Sequence, residues 1–431
     1  MKTYPLTGVS PLFEHERQTF QEIGVKINPI LEGVTIDDNF LAPLPSGLKP
    51  LRSLEFCWLP TQIVEEYNQA RDEAQQRELL EKKVYANCPL NCKGCFVKRD
   101  SLLLGQKLLH PEAIMRLIKE AVEKLGTKTI KYLGPTEFFR DPQAFEWLDR
   151  FQALDLIVGI FIKDPMFGDD AEVAVQFDHL GITSSEELIQ KLASYPRLRL
   201  LFNFRSFDDQ IQNNLVNGGD SRKIDYPKNY KTVQNRALKL LYKHLAKPEL
   251  EQGRAARLVI INAPVVKSTI NEALEIFKYF TDRGVPVLST CSMASGKGQA
   301  LYLNSTLSFF NDLAHYYAKA TAYSIKRGLV SQAYTDQYGI SPYAGIGHCF
   351  QLCNGLLIRE TGQLIRCPGA DHKEWRDKVT PEELVKEGIV TAWQKTRNYK
   401  QASCCNVGCL AKPRIFNSMS FKLGLLQEEE D

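Results

Sequence analysis

Cysteines are the residues whose spacing most clearly predicts chemistry in this chain. Of eleven cysteines, nine fall into three clusters, and the first has the spacing Cys-x3-Cys-x2-Cys at Cys88, Cys92 and Cys95. Three thiolates on one loop, with no fourth cysteine nearby, can hold a cuboidal four-iron cluster that keeps one iron open for a ligand. Structural zinc is the alternative, but a closed zinc site needs a fourth ligand, which would have to come from far away.

The other two cysteine clusters lie near the carboxyl terminus, at Cys349, Cys353 and Cys367 and at Cys404, Cys405 and Cys409. The spacing Cys349-x12-Gly362-x4-Cys367, with alternating apolar residues in between, predicts a β-hairpin with Gly362 at its turn and a cysteine near each end. A hairpin brings its ends together, so later thiolates could complete a four-cysteine cage for iron–sulfur or for zinc. Two cysteines that stand alone, Cys57 and Cys291, are predicted to be small buried residues.

Composition and charge narrow the class of protein. The chain has 431 residues, of which 44% are apolar and 24% charged, so it can bury a large core. A net charge of +3 gives no field that favours nucleic acid or a membrane surface. The longest apolar run, 156–162, is far too short to span a bilayer, and the amino terminus lacks the apolar stretch of a signal peptide. We therefore expect a cytoplasmic globular protein whose cysteines serve metal or redox chemistry.

Elements that could position these cysteines follow from the apolar pattern. Between residues 84 and 300, apolar runs alternate with amphipathic helical stretches, which is typical of βα units and a parallel sheet. Pro111 at the start and Gly126 at the end of an amphipathic stretch predict a helix over 111–125. Ser184 and Glu187 predict a capping box at the start of a later helix. Six strands are predicted at 84–87, 129–133, 154–162, 198–204, 258–266 and 285–290. The fold class is therefore α/β with six repeated units.

The segment Cys88-Pro-Leu-Asn-Cys92-Lys-Gly-Cys95-Phe96 closely resembles the cluster loop of the radical S-adenosylmethionine (SAM) superfamily. This resemblance implies a partial (β/α)6 barrel similar to a TIM barrel. It also implies a 4Fe-4S cluster whose open iron is chelated by the amino and carboxylate groups of SAM. One electron then cleaves SAM to methionine and a 5'-deoxyadenosyl radical, which abstracts a substrate hydrogen. A reductant such as flavodoxin or ferredoxin is the implied partner.

Other segments resemble the cosubstrate-binding motifs of the same superfamily. Residues 132–137 are similar to its glycine-rich turn after the second strand but keep only one glycine and the glutamate, and residues 203–208 are similar to its polar strand end. The implied SAM-binding residues are Phe96, Gly134, Pro135, Thr136, Glu137, Asn203, Arg205 and Ser206. A plain loop around Glu137, an ion pair at Arg205 and core packing of Phe96 are the alternatives. The glycines at 296 and 298 form too short a segment for a phosphate-binding loop.

The carboxy-terminal cysteines resemble the SPASM/Twitch auxiliary-cluster domain found in one branch of that superfamily. Six cysteines stand where the full pattern has seven, so the resemblance implies at least one auxiliary 4Fe-4S cluster. Its preferred ligands are Cys349, Cys367, Cys405 and Cys409, with Cys353 and Cys404 as alternates. The predicted organisation is an extension over 1–83, a barrel over 84–300, a helical linker over 301–345, an auxiliary-cluster domain over 346–411 and a tail over 412–431.

These features bear on three functions from different classes. The leading hypothesis is a radical SAM enzyme that oxidises or cross-links a peptide, with dehydrogenation of a small alcohol or sugar-type substrate as the second substrate class. A non-enzymatic zinc or iron–sulfur scaffold, which could bind nucleic acid, is the second function. Against nucleic-acid binding, the sequence lacks a basic patch with interleaved aromatic residues. A simple electron carrier is the third, but it would not need six βα units.

Overall fold

An eight-stranded sheet organises the part of the chain that the computed structural model describes. That part comprises residues 43–84, 90, 92, 94–95, 103–163, 165–217, 230–292, 297–298, 301, 307–329, 332, 351–368 and 377–400. Its strands are β1 (Ser53–Phe56), β2 (Thr129–Tyr132), β3 (Ile157–Ile162), β4 (Leu198–Asn203), β5 (Leu258–Val265), β6 (Val287–Cys291), β7 (Gly355–Ile358) and β8 (Leu364–Ile365). They lie in the order β6-β5-β4-β3-β2-β1-β7-β8.

Helices connect the strands and cover one face of the sheet. Before and after β2 and β3 lie α1 (Thr61–Gln69), α2 (Glu73–Leu79), α3 (Pro111–Leu125), α4 (Ala144–Ala153), α5 (Asp170–Phe177) and α6 (Ser185–Ala193). After β4 follow α7 (Asp209–Asn217), α8 (Tyr230–Leu241), α9 (Lys247–Glu251), α10 (Ile270–Thr281) and α11 (Leu307–Lys326), and around the last two strands α12 (Gln351–Asn354), α13 (Pro381–Lys395) and α14 (Arg397–Lys400). None of the helices in the described ranges is both long and apolar enough to cross a bilayer.

The predicted α/β class is confirmed. Strands β1 to β6 are neighbours in chain order and pair in parallel, and the antiparallel pair is β7 with β8 at one edge. A mostly parallel sheet with consecutive strands side by side is consistent with a partial TIM-like barrel. Local signals acted as predicted, since α3 has Pro111 in its first turn and ends at Gly126 with φ 65°. The capping box of Ser184 and Glu187 also forms.

The first predicted strand is wrong at Val84. Val84 lies in a π-helical turn, Leu80–Val84, that continues α2, and residues 85–87 lie outside the described residues. The first strand of the sheet is instead β1, within the segment predicted as an extension. Because Ser53 and Glu55 alternate with apolar residues in this four-residue strand, the segment carries little of the apolar signal of a buried strand. Within the same segment, Ile63 and Tyr67 of α1 pack into a small core.

The two faces of the sheet differ in what covers them. On the outer face, the large core includes Leu54, Ile130 and Ile160 together with the helices. On the opposite face, which we call the inner face, two apolar clusters form. They contain Leu201, Val259, Ile261 and Leu288, and Cys57, Leu133, Leu357 and Ile365, with Phe161 packed against both. The buried Lys131–Glu55 ion pair joins neighbouring positions of β2 and β1.

The predicted hairpin at Gly362 is confirmed, and it is part of the same sheet. Gly362 has φ 84° and its N–H donates to the Arg359 carbonyl at 2.9 Å. Strand β7 pairs in parallel with β1, so residues predicted to lie in a separate auxiliary domain extend the barrel sheet. Helix α13 packs on α3, where the Glu120 carboxylate accepts the Ile389 N–H at 3.0 Å.

Candidate functional site

Two cysteines of the first cluster lie on one tight turn. Cys92 is buried and Cys95 is half-buried, and the Cys95 N–H donates to the Cys92 carbonyl at 3.2 Å. Neither thiol is in a disulfide. Both pack with Leu90, Val216 and Tyr230. The third predicted ligand, Cys88, and the predicted stacking residue, Phe96, lie outside the described residues.

The cysteine turn lies close against the end of β5. A Cβ at Gly94 would lie 2.5 Å from Pro264 Cγ and 3.5 Å from Leu301 Cδ1, so a glycine is needed for the turn to lie this close to the end of β5. After β6, the Gly298 N–H donates to the Cys95 carbonyl at 3.3 Å. The cysteine turn therefore lies at the carboxyl ends of β5 and β6, the edge where parallel sheets bind ligands.

Tyr230 links the cysteine turn to the residue that follows β3. It belongs to the same apolar cluster as Cys92, and its hydroxyl donates to the carbonyl of Lys163 at 3.2 Å, directly after β3. Tyr230 and Lys163 are 67 residues apart along the chain, so no local pattern could have predicted this contact.

The turn after β2 is buried throughout and folds over Tyr132. A Cβ at Gly134 would overlap the Tyr132 ring, which explains the one glycine that this turn retains. The Tyr132 hydroxyl donates to the Trp58 carbonyl at 3.1 Å and lies 3.2 Å from Thr136 Oγ1. Burial raises the pKa of Tyr132 well above its ordinary value, so this hydroxyl stays protonated and the turn is fixed by neutral contacts.

Glu137 ends this turn as a buried carboxylate. Its side chain is 0% exposed, and its Oε1 lies 3.2 Å from Lys163 Nζ, which is 22% exposed. Since Lys163 is also the residue bound by Tyr230, Glu137 belongs to the same edge of the sheet as the cysteine turn.

The three predicted residues at the end of β4 take different directions. Asn203 Nδ2 and Arg205 Nε both donate to the Ala263 carbonyl, at 3.4 and 2.8 Å, and Arg205 Nη1 donates to the Leu215 carbonyl at 3.3 Å. Ser206 Oγ instead donates to Glu272 Oε1 on α10 at 2.8 Å. Asn203 and Arg205 therefore lie together beside β5, whereas the Ser206 side chain bonds to a helix.

Two side chains of α8 hold the end of β4 in place. Gln234 Nε2 donates to the Asn203 carbonyl at 2.6 Å, and Lys231 Nζ donates to the Ser206 carbonyl at 2.7 Å. The Lys231 ammonium also lies 3.8 Å from the centre of the Phe204 ring. Burial lowers the pKa of Lys231 to about 8. No local sequence pattern indicates either residue, because both bond to a strand end that is distant along the chain.

The described carboxy-terminal cysteines lie at one end of the hairpin. Cys353 is in α12, directly before β7, and the buried Cys367 follows β8. Asn398 Nδ2 donates to the carbonyls of Gly355 and Arg366, at 2.9 and 3.2 Å, which holds the two hairpin ends together. The other four predicted ligands of this region lie outside the described residues: Cys349, Cys404, Cys405 and Cys409.

The two groups of cysteines lie at opposite ends of the sheet. Cys367 lies beside the start of β7, which runs parallel to β1, while the turn with Cys92 and Cys95 lies at the carboxyl ends of the strands. Cys57 is buried, as predicted, on the inner face. Within the described ranges no three metal-binding side chains come together, and both predicted sets include cysteines beyond those ranges.

Residues 83–228 match the family model described as the Radical SAM superfamily. The matched stretch contains all three cysteines of the first cluster, Glu137 and the end of β4. The chain thus carries a radical SAM superfamily domain, a type of domain that occurs in enzymes and implies a 4Fe-4S cluster and SAM binding.

The chain is similar to several solved structures, whereas no curated protein matches it. One is Streptococcus suis SuiB bound to precursor peptide SuiA, with 12% identity, a TM-score of 0.46, and coverage of 81% of this chain and 66% of SuiB. The structure of SuiB bound to S-adenosylmethionine is 12% identical, with a TM-score of 0.44 and coverage of 81% of this chain and 67% of SuiB. Native anSMEcpe with bound AdoMet is 13% identical, with a TM-score of 0.43 and coverage of 88% of this chain and 100% of anSMEcpe. The chain spans about two thirds of the length of SuiB.

Proposed function

We propose that the chain holds a 4Fe-4S cluster through Cys88, Cys92 and Cys95 and reductively cleaves SAM bound beside it. The observation that carries this proposal is the turn of Cys92 and Cys95 at the carboxyl edge of the sheet. Two thiols on one turn are the donor set that iron–sulfur clusters use, so the described residues fit this group. When bound, the cluster supplies one electron that cleaves SAM to methionine and a 5'-deoxyadenosyl radical, which abstracts a substrate hydrogen.

The chain's own residues would bind and orient SAM. Glu137 and the carbonyls of residues 134–136 accept hydrogen bonds from the methionine amino group, and Phe96 stacks on the adenine. We assign Asn203 to the ribose, and this is supported by its buried Oδ1, which has no hydrogen-bond partner among the described residues. The superfamily resemblance assigns Arg205 and Ser206 to the ribose and carboxylate of SAM, and the Ser206 hydroxyl would first have to leave Glu272.

The inner face would receive the substrate. Its apolar clusters lie between the two cysteine groups and exclude water, and a reactive radical needs a dry site to avoid side reactions. The protein thus contributes position and shielding, while the cofactor supplies the reactive species.

An auxiliary 4Fe-4S cluster at the distal end completes the proposal, with ligands from Cys349, Cys353, Cys367, Cys404, Cys405 and Cys409. Its support is the hairpin, which brings the chain at Cys353 and Cys367 to one end. Such a cluster would take up the electron left when a substrate radical loses a proton, so that the product is oxidised or cross-linked. A peptide is the proposed substrate class, in the cytoplasm, with flavodoxin or ferredoxin as the electron donor.

Anaerobic reconstitution with iron and sulfide tests this function. We expect about eight irons per chain for two four-iron clusters, and release of 5'-deoxyadenosine when dithionite and SAM are added. Cys92→Ala should abolish nucleoside release, whereas Cys367→Ala, at the opposite end of the sheet, should leave it intact. Unchanged nucleoside release by Cys92→Ala, or bound zinc in place of iron, would reject the proposal.

A further inference from the structure

We propose that Lys163 binds the carboxylate of the SAM methionine moiety, beside Glu137, which takes the amino group. The inference rests on the proposed function and assigns a residue that the sequence pattern did not indicate. Lys163 directly follows β3, and strand alternation from Phe161 places it on the inner face at the carboxyl edge.

The Lys163–Glu137 pair has the charge pattern that complements an α-amino acid. Lys163 Nζ and Glu137 Oε1 are 3.2 Å apart, and the amino nitrogen and carboxylate oxygens of an α-amino acid are roughly 3 Å apart by bond geometry. Laid antiparallel to the pair, the amino acid would form one charge-assisted hydrogen bond at each end. The Lys163 ammonium would then face the SAM carboxylate, and the Glu137 carboxylate would accept hydrogen bonds from the amino group, so each buried charged group keeps a partner.

The exposure of the two side chains differs in the way that binding would require. Glu137 is 0% exposed and forms a fixed buried acceptor, whereas Lys163 is 22% exposed and its flexible stem can move aside. In the structure Lys163 stands where the amino group of SAM would bind Glu137. Binding therefore requires the ammonium to move from Glu137 to the incoming carboxylate.

Tyr230 keeps Lys163 next to the cysteine turn while its side chain moves. The Tyr230 hydroxyl donates to the Lys163 carbonyl at 3.2 Å, and Tyr230 and Cys92 belong to one apolar cluster. The backbone of Lys163 is thus fixed beside the proposed open iron, which binds the same amino and carboxylate groups.

Neighbouring cations at this edge have other contacts. Arg205 uses Nε and Nη1 for the carbonyls of Ala263 and Leu215, and Lys231 binds the Ser206 carbonyl. These contacts hold both cations at the end of β4, so neither side chain can move to a new position without breaking them. At Lys163 the amino group of SAM would replace the ammonium at Glu137, so that contact is exchanged rather than lost.

Decarboxylated SAM is the probe that isolates this contact. Dissociation constants for SAM and decarboxylated SAM are measured by anaerobic calorimetry on the reconstituted protein, for the wild type, Lys163→Met and Lys163→Arg. The preference for SAM is the ratio of the dissociation constant of decarboxylated SAM to that of SAM. A hydrogen bond between charged groups is worth about ten- to hundredfold in affinity, so Lys163→Met should reduce this preference by about that factor. Lys163→Arg should restore most of the preference. Lys243→Met, which removes an outer ion pair with Glu186, is the matched control and should leave it unchanged.

A preference unchanged by Lys163→Met would overturn the inference. A second measurement uses the wild type, in case that variant fails to fold: acetic anhydride labelling of Lys163 should fall with saturating SAM but much less with decarboxylated SAM. Equal labelling with the two ligands would also overturn it. Loss of SAM cleavage by the wild type would instead reject the proposed function, so the two failures are distinguishable.

Discussion

Gly94→Ala tests directly where the cysteine turn lies. The added Cβ would meet Pro264 Cγ at 2.5 Å and Pro264 Cδ at 3.2 Å. Carbon atoms pack at about 3.5–4.0 Å, so the turn would have to retreat by about 1 Å. Because the proline ring cannot rotate away, the cysteine turn must move instead. Overpacking of this kind costs about 1–3 kcal/mol, which corresponds to roughly five- to hundredfold in iron affinity if the displacement falls on the turn.

The assay is iron retention against a chelator after anaerobic reconstitution, followed by 5'-deoxyadenosine release. Gly181→Ala is the control, since Gly181 has φ 67° and nothing within 4 Å of its added Cβ. Its left-handed backbone makes alanine cost about 1–2 kcal/mol of stability without touching the cysteine turn. We expect both variants to fold and only Gly94→Ala to lose iron. Wild-type iron retention and cleavage by Gly94→Ala would show that the turn does not lie against Pro264.

Three further substitutions test other parts of the molecule. Cys367→Ala should lower iron from about eight to about four per chain and preserve nucleoside release, and full iron content would remove Cys367 from the ligands. Glu137→Gln should raise the dissociation constant of SAM about tenfold, measured by calorimetry, and an unaltered constant would exclude Glu137 from the site. Lys231→Met should remove a pH dependence of the free energy of unfolding. The pKa of Lys231 is about 8 in the folded protein, below the ordinary 10.5, so between these two values mainly the unfolded chain holds the proton. The stability of the folded protein therefore rises with pH over this range. Denaturant titrations at pH of about 7 and about 9.5 should show that rise, at most about 1.4 kcal/mol per pH unit, in the wild type and lose it in the variant.

Local signals predicted those elements that depend on nearby residues. Helix α3 formed where Pro111 and Gly126 bound an apolar pattern, and the hairpin formed where Gly362 supplies a left-handed residue. Strand β1 was missed because its recognition depends on a partner in another strand. Glu55 looks like a surface residue in the sequence, yet in the sheet it pairs with Lys131 of β2. A polar residue in a short strand is explained only once the neighbouring strand is known.

The candidate site was predictable to the same extent. Cysteine spacing indicated the chemistry of the turn, and Glu137, chosen from a motif resemblance, lies at the same edge of the sheet through its contact with Lys163. Lys163 and Gln234 had no such signal, because each matters through one long-range contact. For Arg205, the residue type was suggestive, but its bonds to main-chain carbonyls could not be foreseen from the sequence.

The position of the cysteine turn follows from contacts on both sides of it rather than from the strand before it. Residues 57–87 separate β1 from Cys88, a distance along the chain over which the strand alone could not position a metal site. Helix α1 bridges this gap: the Tyr67 hydroxyl donates to the Leu103 carbonyl at 2.7 Å, and Asn68 exchanges hydrogen bonds with Leu108 at 2.8 and 2.9 Å. The chain before and after the turn is therefore held in one small core, which restricts the loop that must close. Pro264 lies against the middle of the turn, so a Cβ at Gly94 should displace the turn relative to this core, and we expect the displacement to be measured as lost iron.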